Sequence, residues 1–386
     1  MTPNQRAILP LIGLQGAVGS LGGFIGFFVV GRDDVHAIFR YSAAMLTVAM
    51  LATFLAYRFG PRLKLSGARL LRLGFVVPGL LLLFGDGSVA TMAIAFGSYL
   101  GLTWGGRHAL EMALLDDGER DTYAACSCTA VVVLGVAMSL LSTLLLAASG
   151  EQARFVYWLY GALCLLGALL LGRAIPDTGP VSLQDPVSVL RQPQFIACLP
   201  LFFLESGLFG IGQAMHATGA ARALASASHF GWVSTCAGLV GGLALYFTRR
   251  RRDVDNRAQW LGLSCLVVGA AFVLLGASAW LPGLFVAYSI LKAAGSPFLL
   301  ASEQVLNQRT LDIHGALPDR IFARELVLWG LRMLSLCLFW VLSVWMTPFQ
   351  MLVTGAAVLS AGTALEYVVG KALLGQARSA PALASA

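Results

Sequence analysis

The sequence predicts an all-α integral membrane protein of twelve transmembrane helices in two pseudo-symmetric six-helix bundles. Apolar runs of roughly twenty residues, the length a helix needs to cross a bilayer, recur about twelve times. They fall six on each side of one polar segment near the middle of the 386 residues. Composition agrees: 58% of residues are hydrophobic, 12% are charged and the mean hydropathy is +0.78, more apolar surface than an aqueous core absorbs.

The first-half spans are expected at about 7–30, 35–57, 68–86, 88–106, 124–148 and 154–173, and the second-half spans at about 194–217, 227–248, 258–279, 281–302, 322–346 and 348–371. These runs are read as helices because a lipid-facing strand leaves its backbone polar groups unpaired, and because a β-barrel needs short alternating segments where these runs are continuous. The first run is too long for a cleaved signal peptide and has one arginine before it, so it is expected to stay as an anchor. The domains follow as 1–173, a cytoplasmic linker at 174–193, and 194–386 with a short C-terminal tail.

Charge asymmetry sets the orientation. With both termini cytoplasmic, the inner loops carry Arg58, Arg62, Lys64, Arg69 and Arg72 after span two, Arg107 and Arg120 around the end of span four, and Arg249 to Arg252 with Arg257 after span eight. The outer loops keep Arg32, Arg40, Arg154 and Arg222, which is the positive-inside bias of short loops. The net charge of +7 then reports topology and contact with anionic lipid headgroups, not nucleic-acid binding. Arginine outnumbers lysine 23 to 3, which with abundant alanine and leucine suggests a high-GC bacterial source and no more; the expected location of such a multi-pass chain is the bacterial cytoplasmic membrane.

Several chemistries find no support. The seven cysteines fall within or at the ends of spans without metal-ligand spacing; Cys126 and Cys128 point about 200° apart on a helix. The five histidines are scattered and form no HExxH-type pair, so neither a metal nor another cofactor is expected. Most glycines lie inside spans, where Gly19-Ser20-Leu21-Gly22-Gly23 and the Gly238 to Gly242 stretch read as packing devices, since neither follows a strand as a phosphate loop does.

An internal repeat accounts for the two sets of six. Leu9-Pro10-Leu11 opens the first half and Leu199-Pro200-Leu201 opens the second, 190 residues later; at the same offset Leu14-Gln15 matches Leu204-Glu205 and Gly22 matches Gly212. The loop after span four, Leu115-Asp116-Asp117-Gly118-Glu119-Arg120, is echoed after span ten by Leu317-Pro318-Asp319-Arg320. Parallel six-helix repeats are a transporter design with the substrate site near the midplane between the halves.

On these features nearly the whole chain resembles the major facilitator superfamily. The resemblance rests on the 6+6 layout, the central loop with Pro176, Asp177, Pro180, Asp185, Pro186 and Pro193, and the acid-plus-arginine turn after span four. It implies an alternating-access transporter whose spans seven and ten help line the cavity. The family signature between spans two and three is partly present: Tyr57-Arg58-Phe59-Gly60-Pro61-Arg62 keeps Arg58, Gly60 and Arg62 but has Tyr57 where aspartate is usual. The glycine-proline pattern of drug/proton antiporters is absent from Ala130 to Leu146.

The sharpest chemical signal is charge at membrane depth. Lys292 lies within span ten, where an unpaired charge costs roughly 2.5 kcal/mol or more on insertion scales, so a partner or a wet cavity is expected. Glu205 in span seven and Arg332 in span eleven are placed to approach the same midplane. Lys292 and Arg332 are substrate-binding candidates and Glu205 a proton-coupling one; the alternative is that Lys292 and Glu205 pair as helix glue. Gln15, at the repeat position of Glu205, either hydrogen-bonds substrate or joins two helices. Tyr99 and Trp104 are further substrate candidates, with an interfacial aromatic belt as the competing explanation. Arg58, Arg62, Arg107 and Arg120 are gate candidates, Arg107 with Glu111 one helical turn on. His216 is a second proton-coupling candidate; His229 and Glu366 have no assigned role.

The expectation is therefore a monomeric secondary transporter, not an enzyme, whose partners are protons, membrane lipids and a small organic, carboxylate-bearing solute. An integral-membrane lipid-handling protein or enzyme on the same scaffold stays open, with His108 and Glu111 as its one acid/base pair.

Overall fold

The computed structural model describes residues 3–32, 35–171, 175–248, 251 and 255–379, and these form helices joined by short turns, with one isolated antiparallel bridge between Ser66 and Pro180. The first half holds α1 Pro3–Gly19, α2 Leu21–Arg32, α3 Val35–Leu63, α4 Gly67–Phe84, α5 Val89–Leu114, α6 Arg120–Ser149 and α7 Ala153–Leu171. Short α8 Pro186–Leu190, α9 Pro193–Ala197 and α10 Leu199–Phe202 lead through a π turn, Phe203–Gly207, into α11 Phe209–Ala223. The remainder is α12 Ala227–Thr248, α13 Arg257–Ala277, α14 Leu284–Thr310, α15 Leu317–Ser343 and α16 Pro348–Ser379.

Among the described residues ten helical stretches are long and apolar enough to cross a membrane. Two expected spans are not among the ten. The fourth, α5, is long enough but diluted by glycine, serine, threonine, tyrosine and tryptophan before it reaches Arg107, His108 and Glu111; the seventh is not one helix but the broken run from α9 to α11. The first expected span also breaks, at Ser20, into α1 and α2. Of the basic run at Arg249 to Arg252, residues 249, 250 and 252 lie outside the described residues, as does the start of the expected linker at 174.

Helices pack mainly within each half of the sequence: α5 against α3 and α4, α6 against α1, α7 against α4, and later α13 against α14 and α16, with α12 on α14. The halves meet through α6 with α12 and α14, α3 with α15, and α2 with α11. In lipid these contacts gain little from hydrophobic transfer, so close backbone approach and dispersion carry them. The glycines supply that approach. A Cβ on Gly101 would sit 2.1 Å from the Ala49 carbonyl oxygen, and one on Gly241 2.2 Å from that of Ala293. Gly101→Leu is expected to cost more than the ~1–3 kcal/mol typical of overpacking, because the obstacle is backbone. A thermal melt in detergent should show a large drop for Gly101→Leu and none for Gly118→Ala, where a Cβ meets nothing within 4 Å.

The segment before α9 straps one end of the molecule. Val181 N–H donates to the Leu65 carbonyl at 2.8 Å, and the Gln184 and Asp185 amides donate to the Asp319 carboxylate at 2.8 and 3.0 Å. Gln192 donates to the His314 carbonyl at 2.9 Å. Gly60 leaves room for the strap, since a Cβ there would lie 2.2 Å from the Val181 oxygen. The ends of α3, α5 and α14 and the starts of α4, α6 and α15 share this linker end.

Candidate functional site

The break in the seventh expected span places Glu205. A π turn widens the helix by one residue and leaves carbonyls without their usual partners. Here α15 supplies them: Arg332 Nε donates to Ser206 Oγ at 3.0 Å and to the Ser206 carbonyl at 3.4 Å, and Ser335 Oγ donates to the Gly207 carbonyl. Arg332 is thus committed to the break. Glu205, inside the turn, accepts from Asn307 Nδ2, and its Oε1 lies 3.8 Å from the Arg324 guanidinium. Arg324 also donates to Asn307 Oδ1 and, at 2.8 Å, to Glu325; His108 Nε2 lies 3.4 Å from Arg324 and 3.9 Å from Glu325.

A second polar group forms around α5. Gln15 Nε2 donates to Thr103 Oγ1 at 3.1 Å, and its Oε1 accepts from Arg107 Nη1 at 3.1 Å. Tyr99 donates to the Gln15 carbonyl, and the Arg107 guanidinium lies 5.0 Å over the Trp104 ring. Arg107 Nε donates to Glu111 at 2.7 Å with both side chains buried, so this is no surface pair.

Helix α14 joins the two groups. Gln304 and Gln308 donate to the two Glu111 oxygens at 3.1 and 3.3 Å, while Asn307, between them, serves Glu205 and Arg324. Positions 304, 307 and 308 share one helical face. The result is a polar layer from Gln15 in the first half to Glu205 in the second. Toward the strap, Arg120 forks onto the exposed Asp312 at 2.6 and 2.9 Å, and Arg257 pairs with Asp121, the latter two both buried. Breaking the buried Arg257–Asp121 pair by removing one partner is expected to cost about 3–5 kcal/mol.

Lys292 lies away from this layer. It precedes Asn307 by fifteen residues on α14, about 22 Å at 1.5 Å per residue, so the alternative in which Lys292 pairs with Glu205 as helix glue does not form. Its Nζ donates to Tyr288 Oη at 3.2 Å and sits 5.7 Å from the Phe272 ring centroid. His216 Nδ1 is 3.2 Å from the same hydroxyl, with the ring against Phe230 and Phe285, so His216 is no solvated loop residue, whereas His229 is exposed. Among the described residues no carboxylate lies within ion-pair distance of Lys292.

Arg58 and Arg62 are exposed and enter no ion pair among the described residues. Tyr57 is buried and donates to the Gly105 carbonyl at 3.0 Å. His108 and Glu111 are not a pair: Glu111 is held by Arg107 and the two glutamines, and His108 faces α15. Sequence reading missed Gln304, Asn307 and Gln308. Their signal was three amides at i, i+3 and i+4 where lipid-facing residues would be apolar.

No family model matches this sequence, and no curated protein does. Solved structures do match in fold. The human organic anion transporter MFSD10 (TETRAN) superposes with a TM-score of 0.61 at 14% identity, covering 95% of this chain and 99% of that one. A POT family transporter crystallised with a thioalcohol-conjugated peptide gives 0.60 at 14% identity, covering 95% and 96%. A bacterial homologue of the iron transporter ferroportin, in its outward-facing state, gives 0.58 at 15% identity, covering 96% and 99%. The chain is therefore a multi-pass membrane protein that shares the fold of these three solved transporters.

Proposed function

We propose that this chain is a secondary active transporter of the major facilitator superfamily that moves a small organic anion, carboxylate-bearing, by proton-coupled alternating access across the bacterial cytoplasmic membrane. In this reading residues 1–173 and 194–386 are two six-helix bundles, 174–193 is a cytoplasmic linker, both termini are cytoplasmic and the protein works as a monomer. The observation that carries it is Lys292, a cation inside a transmembrane helix with a hydroxyl and aromatic rings as neighbours and no counter-ion among the described residues. A substrate carboxylate would offset that charge. Transporters sharing the fold include one of organic anions, so the fold is compatible with this substrate class.

The linker-end layer is the inner gate. Arg120–Asp312, Asp121–Arg257 and Glu111 with Gln304 and Gln308 all cross between the halves there. Opening inward must part them together. A proton on Glu205 removes the negative charge opposite Arg324 and loosens the second-half side of the layer. Gln15 and Trp104 contact Arg107 directly and Tyr99 holds the Gln15 backbone, so the three position Arg107 within that gate.

Proteoliposome uptake over a panel of organic anions, with and without a pH gradient, tests this function; uptake of none under either condition would end it. The orientation is tested separately. Cysteine labelling at residue 252 is expected only from the cytoplasmic side, and labelling from outside intact cells would reverse the topology.

A further inference from the structure

A third polar group lies behind Glu205, on the side away from the first half. Glu366 of α16 is 3% exposed, and its carboxyl is in hydrogen-bond contact with that of Glu303 of α14. Two glycines set the position of Glu366. A Cβ on Gly362, one turn earlier, would meet Leu208 at 2.4 Å, just past the π turn; one on Gly370, one turn later, would meet Leu306 of α14 at 3.3 Å and Leu261 of α13 at 2.7 Å. Glu366 is thus wedged between the turn that carries Glu205 and the helix that carries Glu303.

The charged and titratable groups around the pair come from every neighbouring element. Glu205 faces both acids from the π turn, with Arg324 and Arg332 of α15 behind it; Cys265 faces them from α13. Both arginines have other commitments, Arg324 to Glu325 and Asn307, Arg332 to Ser206. No N–H or O–H donor among the described residues reaches Glu366 Oε1 or Glu205 Oε2, although both atoms are buried and the Glu205 side chain is 7% exposed.

Ionised carboxylates only accept hydrogen bonds, so two of them in hydrogen-bond contact, with no cation beside them among the described residues, require a proton to serve as donor. We propose that Glu303 and Glu366 form a proton-binding site in which one proton is shared between the two carboxyl groups, next to Glu205. The proposal rests on the transporter reading only for its purpose, as a reservoir that exchanges protons with Glu205; the binding itself does not depend on substrate.

The test is infrared difference spectroscopy of the full-length protein in nanodiscs during a pH titration, following the protonated-carboxyl C=O band and its deuterium shift. The wild type is expected to show such a band at neutral pH, and Glu366→Gln and Glu303→Gln are each expected to lose it, while Glu205→Gln keeps it. A band that persists in both pair variants, or that is lost only in Glu205→Gln, overturns the proposal. Should a pair variant fail to fold, the wild type alone decides: a band that disappears when sodium ions are added at constant pH makes the pair a cation site and overturns the proton site, and an unchanged band supports it. Uptake assays are read separately. A shared-proton band in a protein that transports nothing would leave this site standing and remove the transporter reading.

Discussion

Glu205→Gln is expected to abolish accumulation driven by a pH gradient completely while leaving counterflow exchange of substrate intact. The glutamine keeps the shape and still accepts from Asn307, so the π turn and its ties to Arg332 and Ser335 are undisturbed. What it removes is a titratable charge 3.8 Å from Arg324. Arg324 retains Glu325 at 2.8 Å, so the guanidinium is not left without a counter-ion and the variant should fold. Exchange needs only the two inward and outward arrangements; accumulation needs a proton to move with them. Uphill accumulation by this variant under a pH difference alone would send the coupling elsewhere, first to the Glu303–Glu366 pair and then to His216.

How far the sequence speaks depends on how local each interaction is. The apolar runs, and the pairing of Arg107 with Glu111 at i, i+4, are properties of single helices, and both were legible. The expected fourth span stops at 106, just before Arg107, whereas α5 continues to Leu114 and takes Arg107, His108 and Glu111 into the helix, an extension that the end of the apolar run does not reveal. The break at Phe203–Gly207 was not legible: Phe-Leu-Glu-Ser-Gly contains no proline and continues an apolar pattern, and the turn holds because Arg332 and Ser335, more than a hundred residues later, satisfy its carbonyls. Arg120 with Asp312 and Asp121 with Arg257 are likewise joins between distant segments. The alternative of a Lys292–Glu205 pair fails for a geometric reason. On the expected bounds both residues fall at mid-span, but α14 runs on to Thr310, which leaves Lys292 in its first third, while Glu205 lies in the Phe203–Gly207 turn level with Asn307 near the other end of α14. Tyr57 shows the limit of motif reading: where a family acid is usual, a buried phenol donates to a backbone carbonyl on α5, so the position joins two helices without carrying charge.

Lys292→Gln separates substrate binding from helix glue more sharply than any other substitution. If Lys292 holds α14 in place, losing it should lower stability in the absence of ligand. The contacts argue otherwise: a single hydroxyl at 3.2 Å and two rings at 5.6 and 5.7 Å do not balance a full charge at this depth. Replacing the ammonium by a neutral amide that still donates to Tyr288 removes a cost of roughly 2.5–3.5 kcal/mol on insertion scales, so the unliganded variant should melt no lower than the wild type. An anion should lose its counter-charge at the same time. Binding is expected to weaken tenfold or more, about 1.4 kcal/mol or above, seen as loss of anion-dependent thermal stabilisation and of uptake. Lys292→Arg, which keeps the charge, should recover part of both. A Lys292→Gln protein that melts lower without ligand yet binds and transports anions normally would reduce this lysine to a structural tie and remove the observation on which the anionic substrate rests.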